Sequence, residues 1–174
     1  MRTILALLLA AQAQAVQPGP GTLTIEALDA VRPGTAAERV AELFPEGPGV
    51  RHRPEAVALD EVAVGADCEA DGEIRLAQGA VREIELRGGG SLLGRCGGRV
   101  LEALVARFGA PDSEQSRGET PWRRSRSTYE WRRGGETVRY VRYTSAGYAG
   151  SGLASASWVL IVAGGSGAST GGDD

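Results

Sequence analysis

The apolar positions of this chain repeat themselves. In the stretch Arg32 to Pro45 (RPGTAAERVAELFP), Ala37, Val40, Ala41 and Phe44 follow the i, i+3, i+4, i+7 spacing of a helix that buries one stripe. In Cys96 to Pro111 (CGGRVLEALVARFGAP), Leu101, Leu104, Val105 and Phe108 do the same, with Gly34 registering on Gly98 and Glu38 on Glu102. The first helix is predicted from Ala36 to Phe44. A capping box, Thr35 with Glu38, opens it and Pro45 stops it. The second is predicted from Arg99 to Phe108, with Gly109 as its C-terminal stop.

Between and after the helices the period changes to two. Val57 and Leu59 alternate, then Val62 and Val64 are offset by one, which predicts a strand from Ala56 to Val64 with a bulge at Asp60-Glu61. Glu73 to Ala77 and Ala80 to Arg87 put Ile74, Leu76, Ile84 and Leu86 on one face, joined by a tight turn at Gln78-Gly79. In the second half, strands are predicted at Ser127 to Trp131, Thr137 to Tyr143 and Ser155 to Ala163. Gly88 to Ser91 reads as a linker or hairpin joining the two halves, with a phosphate-cradling loop as the weak alternative, and Asp112 to Arg126 as a long polar loop. Trp131, Tyr140 and Trp158 sit within strands and are expected in the core, whereas Tyr148 lies in the loop Thr144 to Gly152.

The expected architecture is therefore α+β, two tandem repeats of one helix and a three- to four-stranded antiparallel sheet. The first repeat spans residues 16–90 and the second 91–163. Residues 1–15 read as a signal peptide: a basic start, the apolar run Ile4 to Ala11, and an A-x-A site at Ala13-Gln14-Ala15. That run is far short of the roughly 20 residues a membrane span needs. Residues 164–174 are polar, Gly-rich and expected to be disordered. The expected compartment is the periplasm or the exterior.

Composition changes how the basic residues are read. The chain has no Lys and no Asn, so every basic side chain is Arg, and an Arg here can be an ordinary solvated charge. Charge is divided unevenly: residues 16–90 hold seven Arg against fourteen acids, whereas residues 91–174 hold eleven against eight. Cys68 and Cys96 are the only cysteines. An even pair in an oxidising compartment predicts a disulfide, with two free thiols as the alternative.

Catalytic and metal chemistry find little support. His52, the one histidine, stands in Arg51-His52-Arg53-Pro54, where turn chemistry favours exposure and flanking positive charge disfavours a general base. Asp67 to Glu73 imitates the first half of a calcium loop, but Arg75 and Gln78 occupy positions that need ligands, which favours an acidic turn with weak cation binding as the alternative. No metal, cofactor or catalytic residue is expected. The cluster Trp122, Arg123, Arg124 and Arg126, with Tyr148, combines aromatic anchors with Arg and is the candidate binding surface. Nucleic acid is the other partner that such a cluster fits, and an exported, net acidic chain disfavours it.

Pro33, Gly34, Thr35, Glu38, Val40 and Phe44, echoed by Gly98, Glu102, Leu104, Phe108, Gly109 and Pro111, resemble the small outer-membrane assembly lipoproteins of the SmpA/OmlA type. Occurring twice, the pattern is similar to the fold of the beta-lactamase inhibitory protein. The chain lacks the acylated cysteine of those lipoproteins, which argues against a membrane tether. The resemblance implies a module that binds an envelope or secreted protein. The alternatives are a binder of a small or anionic envelope ligand in the groove between the repeats, and an enzyme.

Overall fold

The structure, a computed structural model, describes residues 30–64, 68–89, 95–119, 124–145 and 155–164. In chain order it contains α1 (Ala37–Leu43), β1 (Val50–Arg53), β2 (Ala56–Ala63), β3 (Glu69–Ala77), β4 (Ala80–Gly89), α2 (Arg95–Phe108), β5 (Ser113–Glu119), β6 (Arg124–Arg133), β7 (Glu136–Ser145) and β8 (Ser155–Gly164). All eight strands belong to one antiparallel sheet, in the order β1-β2-β3-β4-β8-β7-β6-β5. This corrects the expectation of two helix-plus-sheet repeats. The fold is dominated by one continuous sheet, because β4 pairs with β8 from Glu83↔Ala163 to Gly89↔Ser157 and joins the two meanders edge to edge.

That seam explains a second correction. Gly88 and Gly89 are not linker but the last residues of β4, opposite Trp158 and Ser157. A Cβ on Gly88 would lie 2.3 Å from Trp158 Cζ2, so the glycine is what lets the indole lie flat over the β4 backbone. Gly90 and Ser91, like the proposed signal peptide and the tail beyond Gly164, lie outside the described residues. Gly164, expected in the disordered tail, is the last residue of β8 and pairs with Glu136, one residue beyond the predicted end of that strand at Ala163.

Side chains alternate across the sheet, and one face carries both helices. Val57, Ile74, Ile84, Leu86, Trp131, Val138, Tyr140, Trp158 and Leu160 are all at most 2% exposed on that face, with Val40 of α1 and Val100 and Leu104 of α2 over them. Two of the aromatics also hold α2 by its ends. The Tyr140 hydroxyl donates to the Gly97 carbonyl at 2.6 Å, and Trp131 Nε1–H donates to the Gly109 carbonyl at 2.9 Å. Gly109 is left-handed (φ 78°) and its N–H returns to the Val105 carbonyl, the helix stop foreseen in the sequence. The helix begins earlier than expected, at Arg95. Val100 is buried and Val105 is 40% exposed, the reverse of the assignment by spacing.

At α1 the capping box does not form. Thr35 Oγ1 accepts from the Arg32 N–H, and the N-cap Ala36 makes no side-chain cap bond. The helix start is satisfied instead by the β3–β4 turn, where the Ala37 N–H donates to the Gly79 carbonyl and the Gly34 N–H to the Val81 carbonyl. In that turn both Gln78 (φ 53°) and Gly79 (φ 77°) are left-handed, as a two-residue primed hairpin turn requires. A glutamine is strained there. Gln78→Asn is expected to raise stability by about 0.5 to 1 kcal/mol, read as a higher melting temperature; an unchanged or lower one would show that the turn carries no strain to relieve.

The bulge is where expected, as a register shift between Leu59 and Val62 with Glu61 at φ 57°. Two strands were missed. β1 contains His52, which is half-buried and not in a surface loop, its Nε2 lying 2.7 Å from the Phe44 carbonyl. β5 occupies part of the expected polar loop, as does the start of β6. Glu69 to Glu73, read as an acidic turn, is the first half of β3.

Cys68 and Cys96 are bonded, with Cα atoms 5.5 Å apart. The bridge ties the start of β3 to the first turn of α2. Among the described residues, no helix is long and apolar enough to cross a membrane.

Candidate functional site

The face of the sheet opposite the helices is covered by no described element, and the strand registers order its side chains into rows. On the β3–β4 side the rows are charged. Arg75 donates to Glu73 and Glu83, both at 2.6 Å, and to Glu85 at 3.1 Å. Arg87 also bonds Glu85, so the buried carboxylate of Glu85 has two guanidinium partners. The hydrogen bond from Arg75 holds the Glu73 carboxyl below its ordinary range. The middle of the face, β8 and β7, is apolar, with Val159 and Ile161 half-buried beside Val141.

On the β6–β5 side the rows become basic and hydroxylated. Arg126 of β6 faces Tyr143 of β7 on one side and Arg117 of β5 on the other. The Arg126 guanidinium lies 5.7 Å from the centre of the Tyr143 ring, a cation–π contact, and Tyr143 is 41% exposed. Arg124 lies one row along, between Glu119 and Ser145 in the ladder. Two hollows flank Arg126. One, of about 280 Å³, is bordered by Gln115, Arg117, Thr128, Glu130 and Arg139, and the other, of about 410 Å³, by Arg124, Tyr143 and Ser157.

Of the residues singled out by sequence, Arg124 and Arg126 are brought together here, exposed on one strand. Trp122, Arg123 and Tyr148 lie outside the described residues. Arg117 and Tyr143 were missed. Tyr143 was legible, since alternation through Thr137 to Tyr143 puts it on the face opposite Val138 and Tyr140. Arg117 was not, because nothing in SEQSRGE announces a strand.

No family model, curated protein or solved structure matches the chain. Among the described residues no cluster of three or more His, Cys, Asp or Glu could hold a metal ion. A separate cavity of about 380 Å³ lies on the helix side, walled by Leu104, Phe108, Val138 and Leu160 and edged by Arg32, Arg107 and Arg133. Arg133 there is engaged in structure, donating to both Asp112 oxygens and to the Phe108 carbonyl.

Asp112 anchors that corner. The Arg132 backbone N–H, first, and the Arg133 side chain hold its carboxyl below the ordinary range. A carboxyl depressed in the folded state stabilises above its unfolded pKa, and the gain is lost as pH falls through the folded value. Asp112→Asn should thus be less stable than the parent at neutral pH, and the gap should close as pH drops below the ordinary carboxylate range. Melting curves across pH test this, and a gap that persists in strong acid would contradict it.

Proposed function

We propose that this chain is an exported recognition module that binds another protein through the uncovered face of its sheet. The observation that carries this reading is the division of labour between the faces. The helix side takes Trp131, Tyr140 and Trp158 into the core, and the other side keeps an apolar centre, an exposed Tyr143 and Arg117, Arg124 and Arg126 in a row of accessible positions. Arg and Tyr beside apolar surface are the side chains that dominate protein interfaces. The sequence resemblance noted above points to the same class of function. The disulfide and the leader pattern support an oxidising compartment, periplasmic or extracellular.

In-cell photocrosslinking tests the reading. A photoreactive residue in place of Tyr143 should capture a protein, whereas the same residue in place of the exposed Glu102 on α2 should not. Capture from position 102 alone, or from neither, would refute the assignment.

A further inference from the structure

Like charges set side by side on a sheet repel, and folded chains ordinarily interleave them with carboxylates. Over most of the open face this is done: Arg51 bonds Asp60, Arg75 and Arg87 share Glu85, and Arg139 bonds Glu130. At the β5–β6 corner one row breaks the rule: Glu119 stands across from Arg124, but Arg117 stands across from Arg126. Arg117 and Arg126 are direct cross-strand partners, Arg124 lies two residues from Arg126, all three are exposed, and none makes an ion pair with a described residue.

We propose that this corner receives an acidic segment of the partner protein, whose Asp or Glu carboxylates seat between Arg117, Arg124 and Arg126. The inference rests on the recognition reading and adds the partner's chemistry. A carboxylate placed between Arg117 and Arg126 would turn a repulsive pair into two attractive ones, and the planar guanidinium fork fits a carboxylate bidentately. The hollows on either side of Arg126 give such side chains room, with Gln115, Thr128 and Ser157 as further hydrogen-bonding groups at their edges; Glu130, which also lines the first, is already held by Arg132 and Arg139. The rest of the face selects a protein over a nucleic acid. On the β3–β4 half Asp71, Glu73, Glu83 and Glu85 outnumber Arg75 and Arg87, so a phosphate chain running on from the corner would meet net negative charge, whereas a folded partner can confine its carboxylates to one loop.

The test titrates the intact chain with a short oligo-glutamate peptide, an oligo-glutamine peptide of equal length, and an oligodeoxythymidylate of equal charge. Saturable binding of the glutamate peptide alone is expected, weakened by added salt and by about tenfold in Arg117→Glu/Arg126→Glu. Arg53→Glu at the far edge should leave it unchanged. If the double variant does not fold, Arg117→Ser carries the same expectation with a smaller loss. Tighter binding of the oligonucleotide, no saturable binding of the glutamate peptide, or binding indifferent to Arg117 and Arg126 would each overturn the inference. Crosslinks from position 143 together with a peptide that does not bind would overturn the acidic partner and leave protein recognition standing; peptide binding without crosslinks would do the opposite.

Discussion

Removing the disulfide as Cys68→Ala/Cys96→Ala is expected to lower the unfolding free energy by roughly 3 to 4 kcal/mol, the chain-entropy value for a loop of this size. The cysteines are 28 residues apart, and the loop they close contains β3, β4 and the approach to α2. With typical stabilities of about 5 to 15 kcal/mol, such a loss takes a large share of the total. The two alanines are chosen because Cys68 is only 2% exposed, and a hydroxyl there would add a desolvation cost unrelated to the bridge. Denaturant unfolding of the variant, and of the parent with and without reductant, measures the effect. A variant with the parent's midpoint would show that the bridge constrains nothing.

The second large effect is expected at a residue with no side chain. Gly88→Ala should cost about 2 to 3 kcal/mol, at the upper end of overpacking substitutions. The new methyl would stand 2.3 to 2.7 Å from three atoms of the Trp158 indole, a ring only 2% exposed and pinned between β8 and α2. The double variant Gly88→Ala/Trp158→Leu should cost less than the sum of its parts, because the smaller side chain removes the clash. Gly98→Ala is the control, since nothing lies within 4 Å of a Cβ there. Additive losses in the cycle would place the role of Gly88 elsewhere.

These two sites also show what the sequence could and could not convey. The cysteine pairing was legible because the chain contains one possible pair, and the β3–β4 hairpin because Ile74, Ile84 and Leu86 alternate cleanly around Gln78-Gly79. Gly88 was misread because a glycine that makes room for a distant tryptophan looks, in sequence, like one that frees a linker. Its partner is seventy positions away, and the pairing that explains it also merges the expected repeats into one sheet. Short or two-sided strands were silent for a different reason. β1 has four residues, and β5 is an edge strand exposed throughout the part whose side chains are described, so neither carries an alternation to read. The capping box failed because its hydroxyl accepts from the Arg32 N–H while the Gly79 carbonyl of the β3–β4 turn takes the first N–H of the helix. Half of the candidate site was visible as Arg124 and Arg126; Arg117 became part of it only through the β5–β6 register.

The β4–β8 pairing has a kinetic consequence. Every other strand contact in the sheet joins neighbours along the chain, so those hairpins close over short loops and form early. The segments 83–89 and 157–163 must find each other across the whole second half of the molecule, which makes this seam the slow, late step of folding. Until it closes, β4 and β8 each present a free edge with apolar residues on one side, and the edge of one chain fits the other chain's as well as its own. Refolding at high concentration therefore favours dimers that exchange these halves, and refolding at low concentration favours the monomer.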